Sequence, residues 1–219
     1  GFFALMLFFY AISALPLATA ITLNYTAPLF LAILLTLLLK EKSHWELFGA
    51  ILVGFSGVVL LPQPTLGSEQ STAGLMGLAS GFLAGIAYFN VTQLGKQGEP
   101  EWRVVFYFTL VATIGAGAWM LIHTFHPLRW NHLPILLGLG ASATLAQLAM
   151  TRAYRVGKTL VVGSLAYTTV LFASLFASLF GILLWGEWLD TLSWLGMGLI
   201  ALSGIFSVLW TQRASTIVK

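Results

Sequence analysis

The sequence is a succession of eight long apolar runs, separated by short connections that carry nearly all of its charged residues. A bilayer core about 30 Å thick is crossed by about 20 apolar residues in helical conformation, and each run reaches or approaches that length. The strands of a membrane barrel would instead alternate over segments of roughly 10 residues, which these runs do not. Because lipid leaves each segment to satisfy its own backbone polar groups, the runs predict transmembrane helices. The eight segments are Gly1–Leu15, Leu17–Leu39, Leu47–Leu61, Ala73–Leu94, Val104–Ile122, Leu133–Met150, Thr159–Trp185 and Thr191–Trp210.

Composition excludes most soluble classes of protein. The chain is 58% hydrophobic and 8% charged, whereas soluble domains carry about 25% charged residues. The net charge of +3 does not indicate nucleic-acid binding, because the basic residues are scattered singly between apolar runs. The absence of cysteine excludes disulfides and thiolate metal sites. An all-α polytopic membrane protein is therefore predicted, with the lipid bilayer as a partner and no nucleic acid.

Orientation follows from the distribution of lysine and arginine, which favour cytoplasmic segments. If the first segment starts in the cytoplasm, nine basic residues fall in the cytoplasm and only Arg129 falls outside. This bias supports eight crossings and predicts a cytoplasmic C-terminus. The nine residues are Lys40, Lys42, Lys96, Arg103, Arg152, Arg155, Lys158, Arg213 and Lys219.

An internal repeat relates the stretches Pro16–Glu41 and Thr159–Glu187. With Tyr25 placed on Tyr167, the same register also pairs Leu23 with Leu165, Thr26 with Thr168 and Phe30 with Phe172. After a shift of four residues Glu41 meets Glu187, and after one more Gly57 meets Gly204. The orientation rule places Glu41 and Glu187 on opposite sides, so the repeat is predicted to be inverted, a plan that recurs in secondary transporters. Chance similarity is the alternative, since membrane segments share a small alphabet.

The second copy differs from the first in two ways. Leu171–Ser174 is followed at once by the identical Leu175–Ser178, which reads as a tandem duplication of about one helical turn. Val170 stands where Pro28 predicts proline. The second copy is therefore expected to lack the kink that a proline introduces.

These features together resemble an EamA-type member of the drug/metabolite transporter superfamily. The resemblance rests on Ala11–Pro28, the apolar run to Glu41, the Gly49–Gly57 spacing and their counterparts at Tyr167–Glu187 and Gly196–Gly204. It implies ten helices in an inverted five-plus-five repeat, both termini cytoplasmic, and movement of small organic solutes, often export. Residues 1–72 would be the last three helices of the first repeat, and 73–219 the complete second repeat. Because the chain begins with Gly1, it is expected to be an N-terminally truncated piece of a bacterial inner-membrane protein.

Polar side chains deep within apolar helices usually face the interior of a bundle. Tyr25 and Tyr167 each lie near the middle of a segment, and we expect the pair either to line a central substrate cavity or to bond a neighbouring helix. Asn24 either borders that cavity or links two helices. The other candidate substrate-binding residues are Tyr88, Asn90, Gln147 and Thr168, although threonines in such helices commonly bond their own backbone.

Two backbone features accompany these side chains. Pro28 has no N–H to bond the carbonyl of Asn24, so it predicts a kink in the helix. The carbonyl left without this bond either binds the solute or has no role beyond the bend. One helix face carries three glycines, Gly77, Gly81 and Gly85, which predicts close helix packing. The packing partner would lie either across the interface between the repeats or in a homodimer, which no other sequence pattern supports.

Catalysis is not indicated. All seven acidic residues fall in connections or at segment ends, and the histidines show no metal-ligand spacing. No enzyme, metal or cofactor is predicted, and no intramembrane carboxylate offers a proton relay. Facilitated diffusion or exchange is therefore expected, or coupling through groups in the helices expected before Gly1. The predicted function is alternating-access efflux of a small metabolite or amino-acid-like solute; the alternative is a membrane-embedded binding or scaffold protein with the same fold.

Overall fold

The computed structural model of the chain describes residues 1–15, 17–39, 45–60, 71–122, 130–172, 175 and 191–217. Regular structure within these ranges is helical, with no strand among them. A short 3-10 turn, Trp130–His132, precedes the seventh helix, and residues 168–172 are helical after the eighth. The helices are α1 (Phe2–Ala14), α2 (Leu17–Asn24), α3 (Ala27–Leu39), α4 (Trp45–Leu60), α5 (Ser71–Lys96), α6 (Glu101–Ile122), α7 (Leu133–Val156), α8 (Thr159–Ala166) and α9 (Thr191–Ile217).

Each of the eight predicted apolar segments contains one helix or a broken pair of helices. Among the described residues, α5, α6 and α7 are long and apolar enough to cross a membrane by themselves. The five other apolar helical stretches are shorter: Phe2–Ala14, Thr19–Leu35, Trp45–Leu60, Thr159–Phe172 and Trp194–Ser207. The prediction of an all-helical membrane protein is confirmed, whereas the ten-helix inverted repeat remains a prediction.

Several predicted features lie outside the described residues. These are the paired Glu41 and Glu187, Arg129, and all of the Leu175–Ser178 insertion except Leu175.

The chain divides into two compact units: Gly1–Phe2 with Asn90–Gly157, and Phe3–Phe89 with Lys158–Lys219. This is a different partition from the predicted division of the sequence at residue 72, which it does not test.

The first unit is built on α6 and α7, which pack together, and on the end of α5. The α5–α6 turn is fixed by Gly98, whose φ of 84° favours glycine. The N–H of Gly98 bonds Gly95 O and that of Glu99 bonds Leu94 O, both at 3.0 Å, which is the Schellman pattern that ends a helix. Most of the surface of α6 and α7 is exposed apolar side chain, as a lipid-facing pair requires.

The second unit holds the main apolar core. Here α4 packs closely on α9: a Cβ built on Gly57 would lie 2.6 Å from the Gly196 carbonyl oxygen, so only glycine permits the approach. The buried hydroxyl of Ser203 donates to the Ala50 carbonyl at 2.6 Å across the same contact. The core residues around it are Ala32, Ile51, Val58, Tyr167, Val170, Met197 and Ile200.

Candidate functional site

The first predicted repeat breaks between α2 and α3, at Tyr25 and Thr26. Pro28 has no N–H to offer the Asn24 carbonyl, and the ladder resumes with Leu29 N–H bonding Thr26 O at 3.0 Å. The Thr26 hydroxyl donates to Leu23 O at 2.6 Å, so a side chain satisfies a carbonyl next to the break. The kink predicted from Pro28 is confirmed.

The second predicted repeat breaks at the aligned position, Tyr167, between α8 and residues 168–172. Val170 N–H bonds Tyr167 O at 3.0 Å, and the Thr168 hydroxyl donates to Leu165 O at 2.6 Å. The expectation that Val170 would leave this copy without a kink is wrong. Threonine and serine hydroxyls that bond carbonyls of the preceding turn compete with the helical ladder and bend helices, so no proline is required.

The two breaks meet within the second unit. The ring centroids of Tyr25 and Tyr167 lie 6.1 Å apart at an interplanar angle of 49°. The Tyr25 hydroxyl is hydrogen bonded to the hydroxyl of Thr169, which itself donates to Ala166 O at 2.7 Å. The sequence-aligned tyrosines are therefore in contact, and a polar link joins the two broken helices beside them.

Tyr167 is wholly buried, with 0% of its surface exposed. Its ring contacts Phe55, with centroids 6.5 Å apart, and it lies so close to Gly54 that a Cβ there would be 2.6 Å from a ring carbon. Its hydroxyl has no hydrogen-bond partner among the described residues. The expected alternative, a hydroxyl bonded to a neighbouring helix, is therefore observed for Tyr25, through Thr169, but not for Tyr167 among the described residues. The buried Tyr167 hydroxyl is left for another group.

Asn24 links two helices. Its side-chain amide donates to the Ser80 hydroxyl on α5 at 3.1 Å, and that hydroxyl donates to Gly77 O at 2.6 Å. Ser80 is fully buried while Asn24 is partly exposed. The interhelical alternative for Asn24 is therefore observed, and its remaining amide surface borders the break.

The glycine face of α5 packs against the first break. A Cβ on Gly81 would meet the Thr26 hydroxyl and lie 2.7 Å from Leu23 O and 3.2 Å from Asn24 O; one on Gly85 would lie 3.0 Å from Ala27 O. The predicted packing face is confirmed. The Asn24 carbonyl freed by Pro28 is covered by this face, so it is not an open ligand point.

The other predicted site residues are placed less centrally. Tyr88 packs on a small apolar cluster of buried residues that includes Ala27. Ala27 directly follows the first break in the sequence. Thr168 uses its hydroxyl on its own backbone, which reduces its capacity to bind a solute. Asn90, exposed, and Gln147, half-buried, belong to the first unit.

Sequence reasoning missed Thr169 as the partner of Tyr25 and Ser80 as the partner of Asn24. The available signal was position: Ser80 adjoins Gly81 on the packed side of α5, and Thr169 follows the aligned Thr168. Among the described residues, the carboxylates Glu46, Glu99 and Glu101 lie at or next to helix ends, and no group of three potential ligands that could hold a metal occurs there.

Comparison with known proteins identifies the class. Residues 1–62 match the EamA-like transporter family. An uncharacterized transporter of Helicobacter pylori (strain J99) is 28% identical over 214 residues, covering 95% of this chain and 70% of the relative. The pseudopaline exporter CntI of Pseudomonas aeruginosa (strain UCBPP-PA14) is 29% identical over 205 residues, covering 94% and 70%.

A solved crystal structure shares the fold with a TM-score of 0.79 at 18% identity, covering 95% of this chain and 74% of that one. The broken apolar helices and the matched relatives define an integral membrane protein of transporter type. The chain is therefore similar to EamA-like transporters, both in residues 1–62 and in these relatives.

Proposed function

We propose that this chain moves a small organic solute across the membrane by alternating access, with the solute passing where the two helix breaks meet. The observation that carries the proposal is the contact of Tyr25 with Tyr167 and Thr169. Broken helices near mid-membrane are the usual place of substrate sites in transporters built from inverted repeats. The ten-helix inverted plan, to which the two breaks would belong, is part of the proposal.

The side chains at the breaks favour an uncharged or zwitterionic polar solute. Tyrosine, threonine and asparagine offer hydrogen bonds and aromatic surface, and the described carboxylates lie at or beside helix ends rather than here. The unpartnered Tyr167 hydroxyl supplies a buried hydrogen-bonding group that a solute can satisfy. Asn24, Tyr25 and Tyr88 would border the path, with Thr168 as a further contact, whereas Asn90 and Gln147 stay predictions from the sequence.

Export is the proposed direction, in line with the name of the Pseudomonas relative, a pseudopaline exporter. The proposed location is a bacterial inner membrane with the C-terminus in the cytoplasm, where lysine and arginine are concentrated. Transport would require no cofactor and no catalysis.

Flux in proteoliposomes tests this proposal. The full-length protein would be reconstituted into vesicles loaded with pseudopaline or with radiolabelled zwitterionic amino acids, and release would be compared with that from protein-free vesicles. A comparison of metabolites in cells with and without the full-length gene would extend the panel. We expect protein-dependent, saturable release of at least one compound. Saturable binding without release for every compound that binds would instead establish the alternative, a non-transporting binding protein.

A further inference from the structure

Charged residues gather at one end of the first unit, where α5 ends, α6 begins and α7 ends. Glu101, in the first turn of α6, forms an ion pair with Arg155 of α7 through its Oε2 atom. The Nη1 atom of Arg152 lies 3.9 Å from the other carboxylate oxygen. Glu99 pairs with Arg103 at 2.8 Å. Glu101 therefore joins α6 to α7 at this end, and Glu99 ties the α5–α6 connection to the first turn of α6.

The cations outnumber the carboxylates. Lys96, in the last turn of α5, joins the three arginines, so four cations face two acids. Arg152 is the least neutralised of these three arginines: the ion pair that it forms among the described residues is 3.9 Å long, at the limit of contact, and 72% of its side chain is exposed. Arg103 is 47% exposed even while paired. A net positive charge is thus presented outward.

An exposed aromatic residue lies beside these cations. Trp102 is 60% exposed, and the Arg103 guanidinium lies 5.5 Å from the centre of its ring. One turn further into α6, Phe106 is 55% exposed. Tryptophan with arginine at the end of an apolar helix is typical of the bilayer interface. Trp102, Arg103 and Arg152 are called the basic rim below.

We propose that the basic rim binds the phosphate headgroup of an anionic phospholipid of the surrounding bilayer. Guanidinium groups bind phosphate through paired, charge-assisted hydrogen bonds, and Arg152 has donors left for this purpose. The lipid's acyl chains would lie along the exposed apolar surface of α6 and α7 that begins at Phe106. The inference stands apart from the proposed function, because it requires no transported solute.

Tryptophan quenching by brominated lipids tests the inference on the full-length protein. The protein would be reconstituted in phosphatidylcholine with a fixed fraction of either brominated phosphatidylglycerol or brominated phosphatidylcholine. Each basic side chain near a membrane surface strengthens binding of anionic lipid by about fivefold. We therefore expect the relative affinity for phosphatidylglycerol to exceed that for phosphatidylcholine by about fivefold or more. Equal quenching by the two lipids would overturn the proposal.

Variants assign the site. The double variant Arg152→Gln/Arg103→Gln should lower the ratio of the affinity for phosphatidylglycerol to that for phosphatidylcholine to near one. Arg129→Gln, on the predicted opposite side of the membrane, should leave this ratio unchanged. An unchanged preference in the double variant would refute the basic rim as the site. If the double variant does not fold, the single variant Trp102→Phe provides the test. It should remove the additional quenching by brominated phosphatidylglycerol over that by brominated phosphatidylcholine. Inorganic phosphate at 10 mM should not displace the lipid; full displacement would instead indicate a free-phosphate site.

Discussion

The hydroxyl of Tyr25 is hydrogen bonded to the hydroxyl of Thr169, and the Tyr25 ring lies 6.1 Å from that of Tyr167. Each tyrosine occupies the break of its own helix. Because helices kink where their i→i−4 hydrogen-bond ladder is interrupted, this contact joins the two bends of the fold. A transporter that separates them would open a route at the same place.

Removal of the Tyr25 hydroxyl should impair transport while leaving the fold intact. Tyr25→Phe keeps the ring contact with Tyr167 but loses the bond to Thr169, which is worth about 1 kcal/mol, or roughly fivefold in an equilibrium. We expect initial flux in proteoliposomes to fall about fivefold or more at equal protein content.

The matched control is Tyr107→Phe, since Tyr107 lies on α6 and is 60% exposed. It should leave flux unchanged. Normal flux in Tyr25→Phe, together with normal flux in Tyr167→Ala, would remove both tyrosines from the solute route.

Close packing of α4 on α9 should depend on Gly57. A Cβ there would lie 2.6 Å from Gly196 O and 3.1 Å from Ile200 N, and backbone atoms yield only if the helices separate. We expect Gly57→Ala to destabilise the protein by roughly 1–3 kcal/mol, measured as a lower thermal unfolding midpoint in detergent.

Gly49 provides the control on the same helix, because a Cβ there meets nothing within 4 Å. Gly49→Ala should be neutral or stabilising, since alanine favours helix by about 1 kcal/mol over glycine. Equal midpoints for the two variants would contradict the observed packing.

Asn24 and Ser80 should show a measurable coupling energy. Their side chains bond at 3.1 Å across α2 and α5, and polar contacts between membrane helices average about 0.6 kcal/mol with maxima near 1.7. A double-mutant cycle of Asn24→Ala and Ser80→Ala, read from unfolding free energies, should give a value in this range. Strictly additive losses would show that the bond contributes nothing to stability.

The helical segments could be predicted from sequence because lipid allows an apolar run few alternatives to a helix. The first break could be predicted from Pro28, whose missing N–H is a local property. The second break could not, because it depends on whether Thr168 and Ser164 bond their own backbone or another helix, and both choices are chemically open to them. The observed bonds are to Leu165 O and Val161 O.

The hydrogen-bond partners of the site residues were harder to predict than the site residues themselves. Adjacent residues on a helix point about 100° apart, so whether Thr168 or Thr169 reaches Tyr25 depends on how the broken helix of α8 and residues 168–172 is rotated against the first break. That rotation is set by packing, such as Gly163 against Pro28, which a sequence pattern does not encode. The same reasoning applies to Ser80, which reaches Asn24 because Gly81 lets α5 approach the first break.

A reversible crosslink between the two broken helices tests the central claim most directly. A Cβ on Gly163 would lie 3.4 Å from that of Pro28, close to the separation of roughly 3.5–4.5 Å in disulfides, and the chain has no cysteine of its own. The double variant Pro28→Cys with Gly163→Cys would be oxidised in proteoliposomes loaded with pseudopaline, or with the amino acid the wild type releases. If the breaks separate during transport, oxidation should abolish release, dithiothreitol should restore it, and each single variant should be insensitive to both. Undiminished release from the fully crosslinked protein would contradict the account.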